Sequence, residues 1–151
     1  MRNALSAPTG RPFLSQTAEH ALRAALFLGL RGPGRLVSAR EVAEALGMPS
    51  NYTAKTLRLL TRRGLLRSTR GPQGGFMLRA PASDVSIARI IDAVDEPAPR
   101  PAACLLGDRV CDAASPCEAH RRWMEVQRRT SEPLEQTTLA DLLRGDAQPA
   151  R

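Results

Sequence analysis

The sequence predicts a mainly α fold built on a winged helix-turn-helix, with a cysteine loop and a further helix behind it. Three observations carry this. Apolar residues recur at helical spacing in separate stretches between residues 14 and 94. Two short helical stretches are joined by a three-residue turn, and the second is rich in polar and basic groups. A strand, a Gly/Pro-rich turn and a second strand follow at once.

Residues 1–12, with Pro8, Gly10 and Pro12, read as a flexible leader. The first helix begins near Leu14, where Ala18, Ala21, Leu22, Ala25 and Leu26 keep helical spacing. It ends near Leu30, before Gly32-Pro33-Gly34. Ser38 and Glu41 form a capping box that starts the second helix. Val42, Ala45 and Leu46 are its expected buried stripe, and Gly47 is its stop. Met48-Pro49-Ser50 is the turn. The third helix runs from about Asn51 to Arg63, with Leu57 and Leu60 inward, and Gly64 ends it. Residues 65–70 and 76–79 are the two strands around Gly71-Pro72-Gln73-Gly74-Gly75. The fourth helix spans about Ser86 to Val94, with Ile87, Ile90, Ile91 and Val94 at i, i+3, i+4, i+7. Glu96-Pro97-Ala98-Pro99-Arg100-Pro101 breaks regular structure. The winged helix-turn-helix unit is therefore placed at 13–96, the cysteine-rich loop at 97–117 and a C-terminal helix with its tail at 118–151. In that last part Ser115 is the expected N-cap, Pro116 the first helical residue, and Glu118 the partner in a capping box. This helix runs to about Ser131. A last short helix, 138–143, aligns Leu139, Leu142 and Leu143.

Charge is also unevenly divided along the chain. Of 151 residues, the first 80 hold 13 basic and 3 acidic side chains, and the remainder 9 basic and 12 acidic. A basic half points to a polyanion, usually nucleic acid. Aromatic residues make up only 3% of the chain, so the core must come from Leu, Ala, Val and Ile. No apolar run approaches the ~20 residues of a membrane span, and no apolar signal segment opens the chain. Three cysteines do not suit a secreted disulfide scaffold, and the expected location is cytoplasmic. There is no phosphate loop or triad, and only two histidines, so an enzyme is not expected.

All three cysteines lie within 14 residues: Cys104, Cys111 and Cys117, followed by His120. Thiolates gathered this closely suit an iron–sulfur cluster or zinc. Cys117, near a helix start, has backbone N–H groups and a helix dipole to stabilise its thiolate. The gaps of six and five residues are wide for a structural zinc site. No C-x-x-C pair is present for dithiol catalysis.

Several segments resemble one family. They are Ala18-Glu19-His20-Ala21-Leu22-Arg23, the helix-turn-helix, the run from Arg63-Gly64-Leu65 through Arg70-Gly71-Pro72-Gln73-Gly74-Gly75-Phe76, then Ile90-Ile91-Asp92-Ala93-Val94-Asp95, the three cysteines, and Thr138-Leu139-Ala140-Asp141-Leu142-Leu143. From about Leu14 to Leu143 the chain resembles the Rrf-type winged-helix transcriptional regulators, the group of the iron–sulfur repressors IscR and NsrR. The resemblance implies a homodimer in which the helix after the cysteines is a dimerisation helix. It implies a DNA-binding regulator, by family default a repressor, acting on a palindromic double-stranded operator. It also implies an iron–sulfur cluster, 4Fe–4S or 2Fe–2S, on Cys104, Cys111 and Cys117. The fourth ligand would be Glu19 in the first helix or His120 after the third cysteine. Nitric oxide, iron or cluster status, and redox stress all fit as the signal. The alternative is a winged-helix regulator that uses its cysteines as a thiol redox switch or zinc site. One departure stands out: Ala54 and Lys55 occupy the recognition helix where the cluster-assembly regulator has an acidic residue.

The start of the third helix is the part that enters the major groove in such motifs. The expected DNA-binding residues there are Ser50, Asn51, Tyr52, Lys55 and Thr56. Asn51 suits an adenine edge, and Lys55 a guanine or a phosphate. Tyr52 suits the groove or the core equally. Arg58, Arg62 and Arg63 are expected along phosphates or in solvent. In the wing, Arg70 at the base, with Gly74 and Gly75 at the tip, is expected to approach phosphates closely.

Overall fold

The structure, a computed structural model, describes residues 14–95 and 116–145. The leader, the break after Glu96, and the cysteine loop up to Ser115 lie outside the described residues.

Helix α1 spans Gln16–Leu30, and Ser15 caps it by accepting the Ala18 N–H at 3.0 Å. Helix α2, Ala39–Leu46, starts on Ser38, whose hydroxyl accepts the Glu41 N–H at 3.1 Å. The Glu41 carboxylate itself lies 3.7 Å from Arg31. Gly47 closes α2 with φ +62°, a left-handed conformation that costs a residue with a Cβ. The inward face of α2 is Val42 and Ala43, with Leu46 half-buried. Ala45, expected on that face, is exposed, because Ala43, beside Val42, takes the inward position instead.

Helix α3 covers Ser50–Arg62, and Pro49 precedes it. Strands β1, Leu66–Thr69, and β2, Gly75–Leu78, pair antiparallel from Leu66↔Leu78 to Thr69↔Gly75. Val37 adds a bridge to β2: its N–H donates to the Phe76 carbonyl at 3.0 Å, and the Phe76 N–H returns at 2.8 Å. A 3-10 turn at Ala82–Asp84 leads into α4, Ile87–Val94, capped by Ser86.

Helix α5 runs Glu118–Gln136, longer than the sequence suggested, and continues through Pro133. A proline removes one N–H and one helical bond. The ladder resumes at once, since the Thr137 N–H reaches the Pro133 carbonyl at 3.0 Å. The N-cap is Cys117 rather than Ser115: Cys117 is the extended residue whose side chain meets the first free N–H groups. Helix α6, Leu139–Gly145, opens on a reciprocal cap. The Asp141 carboxylate accepts the Thr138 N–H and hydroxyl at 2.9 and 2.6 Å, and the Thr138 hydroxyl accepts the Asp141 N–H at 3.2 Å.

The core is aliphatic, as the low aromatic content requires. Alanines 21, 24 and 25 and Leu28 of α1 meet Val42, Leu57, Leu60, Leu66, Ile90 and Leu139. The division at residue 118 puts α6 with the tail, yet Leu139 is fully buried in the same core as α1 and α3. Two backbone bonds hold it there: the Leu139 N–H to the Val85 carbonyl, and the Ile87 N–H to the Thr137 carbonyl, both 2.9 Å. The C-terminal segment thus completes the winged helix instead of trailing from it.

Candidate nucleic-acid interface and cysteine site

Pro49 cannot cap α3 with a side chain, so the N–H groups of its first turn face outward without an internal side-chain partner. Ser50, Asn51 and Lys55 are exposed there, and Arg58 and Arg62 continue the exposed set down the helix. Lys55 is the only lysine in the chain. Thr56 does not belong to this surface. It is 3% exposed, because it follows Thr53 at i+3 and shares the inward face with Leu57 and Leu60. Thr53 tolerates burial since its hydroxyl donates to the Pro49 carbonyl at 3.0 Å. Tyr52 takes neither expected extreme. It is half-buried, its hydroxyl lies 2.7 Å from Thr17 Oγ1, and the His20 ring stands edge-on to it at 5.0 Å between centroids.

In the wing, Arg67, Ser68, Thr69 and Arg70 are exposed, and the projecting tip is Gly71-Pro72-Gln73. Gly71 has φ +110°, which explains its glycine. Gly74 and Gly75 are not tip residues that approach phosphate. Gly75 is buried and begins β2, and a Cβ there would stand 2.6 Å from the Val37 carbonyl oxygen. A Cβ on Gly74 would stand 2.2 Å from the Thr69 carbonyl oxygen. Both are glycines because the protein's own backbone passes close by. Arg67 and Gln73 escaped the sequence reading. The alternation of inward Leu66 and outward Arg67 along β1 is the signal that finds the arginine.

Charges on α5 are consumed internally. Glu125 meets Arg128 and Arg129, and Glu118 meets Arg121 and Arg122, all one helical turn apart. Hydrogen bonds from Arg128 and Arg129 hold the Glu125 carboxyl below its ordinary range. The basic side chains of α3 and the wing have no such run of acidic neighbours in sequence.

At the start of α5, half-buried Cys117 accepts the His120 N–H on its sulfur at 3.5 Å, and His120 is half-buried. A helix N-terminus stabilises a thiolate. Glu19 is exposed on α1. Cys104 and Cys111 lie outside the described residues. Among the described residues alone, no three His, Cys, Asp or Glu side chains gather into a metal site. Thiolates with a carboxylate or imidazole are a donor set that fits an iron–sulfur cluster.

A basic, polar helix start beside an arginine-bearing hairpin, on this arrangement of helices, defines a winged-helix DNA-binding regulator. Among the described residues no helix is long and apolar enough to cross a membrane. The chain belongs to the Rrf2 family, described as an iron-dependent transcriptional regulator, which matches residues 14–145. The HTH-type transcriptional regulator IscR of Vibrio atlanticus is 30% identical over 131 residues, 87% of this chain and 75% of its own. The solved structure of T. potens IscR superposes with a TM-score of 0.72 at 25% identity, over 91% of this chain and 92% of that one. CymR, the global cysteine regulator of B. subtilis, shares the fold with a TM-score of 0.70 at 22% identity, over 86% and 95% of the two chains. The protein is a transcriptional regulator of this family.

Proposed function

We propose that the protein is a homodimeric repressor that reads a palindromic operator with the first turn of α3 and the β1–β2 wing. An iron–sulfur cluster on Cys104, Cys111 and Cys117, with Glu19 or His120 as the fourth ligand, sets its affinity. The observation that carries the DNA reading is the joint exposure of Ser50, Asn51 and Lys55 on α3 with Arg67 and Arg70 on the wing. The dimer is supported by α5, whose described residues include none that is buried. Trp123, Met124 and Val126 stand 36%, 52% and 47% exposed there, apolar surface that a second copy would cover. Two copies related by a twofold place their α3 helices about one DNA turn apart, ~34–36 Å.

The cluster reading is supported by the capped Cys117 sulfur and by the family's description as iron-dependent. When bound, such a cluster supplies a centre whose state answers to nitric oxide, oxidants or iron supply. The chain's own part is to hold it through three thiolates and to tie the cysteine loop to α1 or to α5, according to the fourth ligand. A thiol switch or a zinc site is the second reading, favoured by the fold shared with CymR, a regulator of cysteine.

Anaerobic absorption and native mass spectrometry separate these, for the parent, Glu19→Ala and His120→Ala. A brown protein with cluster mass, weakened by one of the two substitutions, is expected. A colourless protein carrying zinc or no metal refutes the cluster. Operator affinity with and without cluster, at fixed salt, tests gating, since phosphate contacts make affinity strongly salt-dependent. Equal affinities refute it.

A further inference from the structure

Tyr52 sits in the first turn of the recognition helix, yet the group that orients it lies on a different element. Its hydroxyl meets Thr17 Oγ1 of α1 at 2.7 Å, with the tyrosine donating and the threonine accepting. The edge of the His20 ring, one turn further along α1, bears on the same tyrosine. With His20, the tyrosine lines an open cleft of about 350 Å³, shared with Gln16, Arg23, Met48 and Pro49. The ring is therefore only partly enclosed, and the hydroxyl bond fixes its outer end to α1. The pair crosses 35 residues of sequence and ties α1 to α3. Among the described residues, α1 also reaches α2 through polar groups, Arg23 to the Leu46 carbonyl at 3.5 Å and Arg31 to Glu41 at 3.7 Å, while its buried contacts with α3 are aliphatic.

We propose that Thr17 is a positioning residue for DNA reading. Through the Tyr52 hydroxyl it sets the register in which Ser50, Asn51 and Lys55 meet the groove. Glu19 is exposed on the same helix, two residues from Thr17. Movement of α1 therefore reaches the recognition helix through this bond. The inference rests on the reading of α3 as the groove-facing helix.

Tyr52 is the only tyrosine in the chain, so one ring label reports on the bond directly. The test uses the full-length protein, ring-13C tyrosine, and a duplex that the parent protein selects from a randomised pool. A random-sequence duplex of equal length is the comparison. Thr17→Val keeps the shape and removes the hydroxyl, and Thr17→Ser keeps the hydroxyl. Thr17→Val is expected to shift the tyrosine ring signals. It should lower the ratio of selected to random affinity about fivefold, the scale of one hydrogen bond. Thr17→Ser should restore both signals and ratio. Thr17→Ala, measured alongside, should behave as Thr17→Val, so a folding failure of one variant leaves the other. An unchanged ratio overturns the proposal, and so does an equal loss in Thr17→Ser. Unshifted ring signals in Thr17→Val also overturn it, because the bond is then not made. A parent protein that selects no duplex overturns the DNA reading as well, and this shows before any variant is measured.

Discussion

Gly75→Ala tests the wing at its most constrained point. A Cβ on Gly75 would lie 2.6 Å from the Val37 carbonyl oxygen, 2.7 Å from its carbon and 2.9 Å from its nitrogen. All three are backbone atoms, so no side chain can swing away to relieve the clash. Val37 must move, and its two bonds to Phe76, 3.0 and 2.8 Å, break. Each such bond contributes about 1 kcal/mol net, and loosening buried Val37 adds on the order of 1 kcal/mol. Against this, replacing a strand glycine by alanine recovers about 0.5–1 kcal/mol of chain entropy. The expected loss is about 2 kcal/mol, a fall in Tm of roughly 4–8 °C for a chain of this size. Thermal and urea unfolding at one protein concentration measure it, beside Gln73→Ala at the exposed tip, which should stay within about 0.5 kcal/mol. Operator affinity should fall in Gly75→Ala even after correction for the folded fraction, because the hairpin carrying Arg67 and Arg70 is displaced. A Gly75→Ala protein as stable as the parent refutes the account of why residue 75 is glycine.

Three further outcomes are expected. Leu139→Ala should cost about 3 kcal/mol in urea unfolding, the range for emptying a buried leucine site; a cost near zero would return α6 to a detached tail. Arg70→Ala should weaken selected and random duplexes alike and lower the salt slope of binding by about one per protomer, the mark of a phosphate contact; a loss confined to one base position would instead make Arg70 a base reader. The Thr138 hydroxyl and N–H, with Arg144, hold the Asp141 carboxyl below its ordinary value. A depressed carboxylate stabilises the fold above its unfolded pKa, and that contribution disappears as pH falls through the folded value. Acid unfolding followed from pH 5 downward should therefore be shallower in Asp141→Asn than in the parent, and identical acid limbs would contradict the cap.

How much of this was legible in the residues depends on how far each signal reaches. Ser38 before Glu41, and Gly47 after Leu46, are local chemistry, and both ends of α2 follow from them. The hairpin is equally local: Gly71-Pro72-Gln73-Gly74-Gly75 between two short runs, Leu65 to Arg70 and Phe76 to Arg79, is a strong turn signal. What escaped depends on partners distant in sequence. Gly75 reads as a phosphate-facing tip residue, because nothing nearby says that Val37, almost forty residues earlier, lies against it; Gly74 is instead crowded by the turn's own backbone at Thr69, Arg70 and Gly71. Thr56 read as groove-facing because a hydroxyl suits either side of a helix, and only the seating of α3 on α1 decides. Ser115 is the residue type that caps helices, so the sequence points to it; the structure starts α5 two residues later, on the Cys117 sulfur. The end of α5, expected near Ser131, lies at Gln136, because the helical ladder resumes directly after Pro133. The exposure of Ser50, Asn51 and Lys55 is legible because it follows, at a helix start, from the spacing of Leu57 and Leu60 behind them.

The lone lysine has a practical consequence. With 22 basic side chains and a single primary amine among them, this chain offers an amine-directed reagent one side-chain target, and that target is Lys55 on the exposed start of α3. The arginine-rich composition also makes the site separable from its neighbours: arginines hold their charge under acylation, whereas Lys55 loses its own. One acyl group would neutralise the recognition helix at one point and leave the wing untouched. The yield of that modification, with and without duplex, becomes a footprint of the protein read from its own surface.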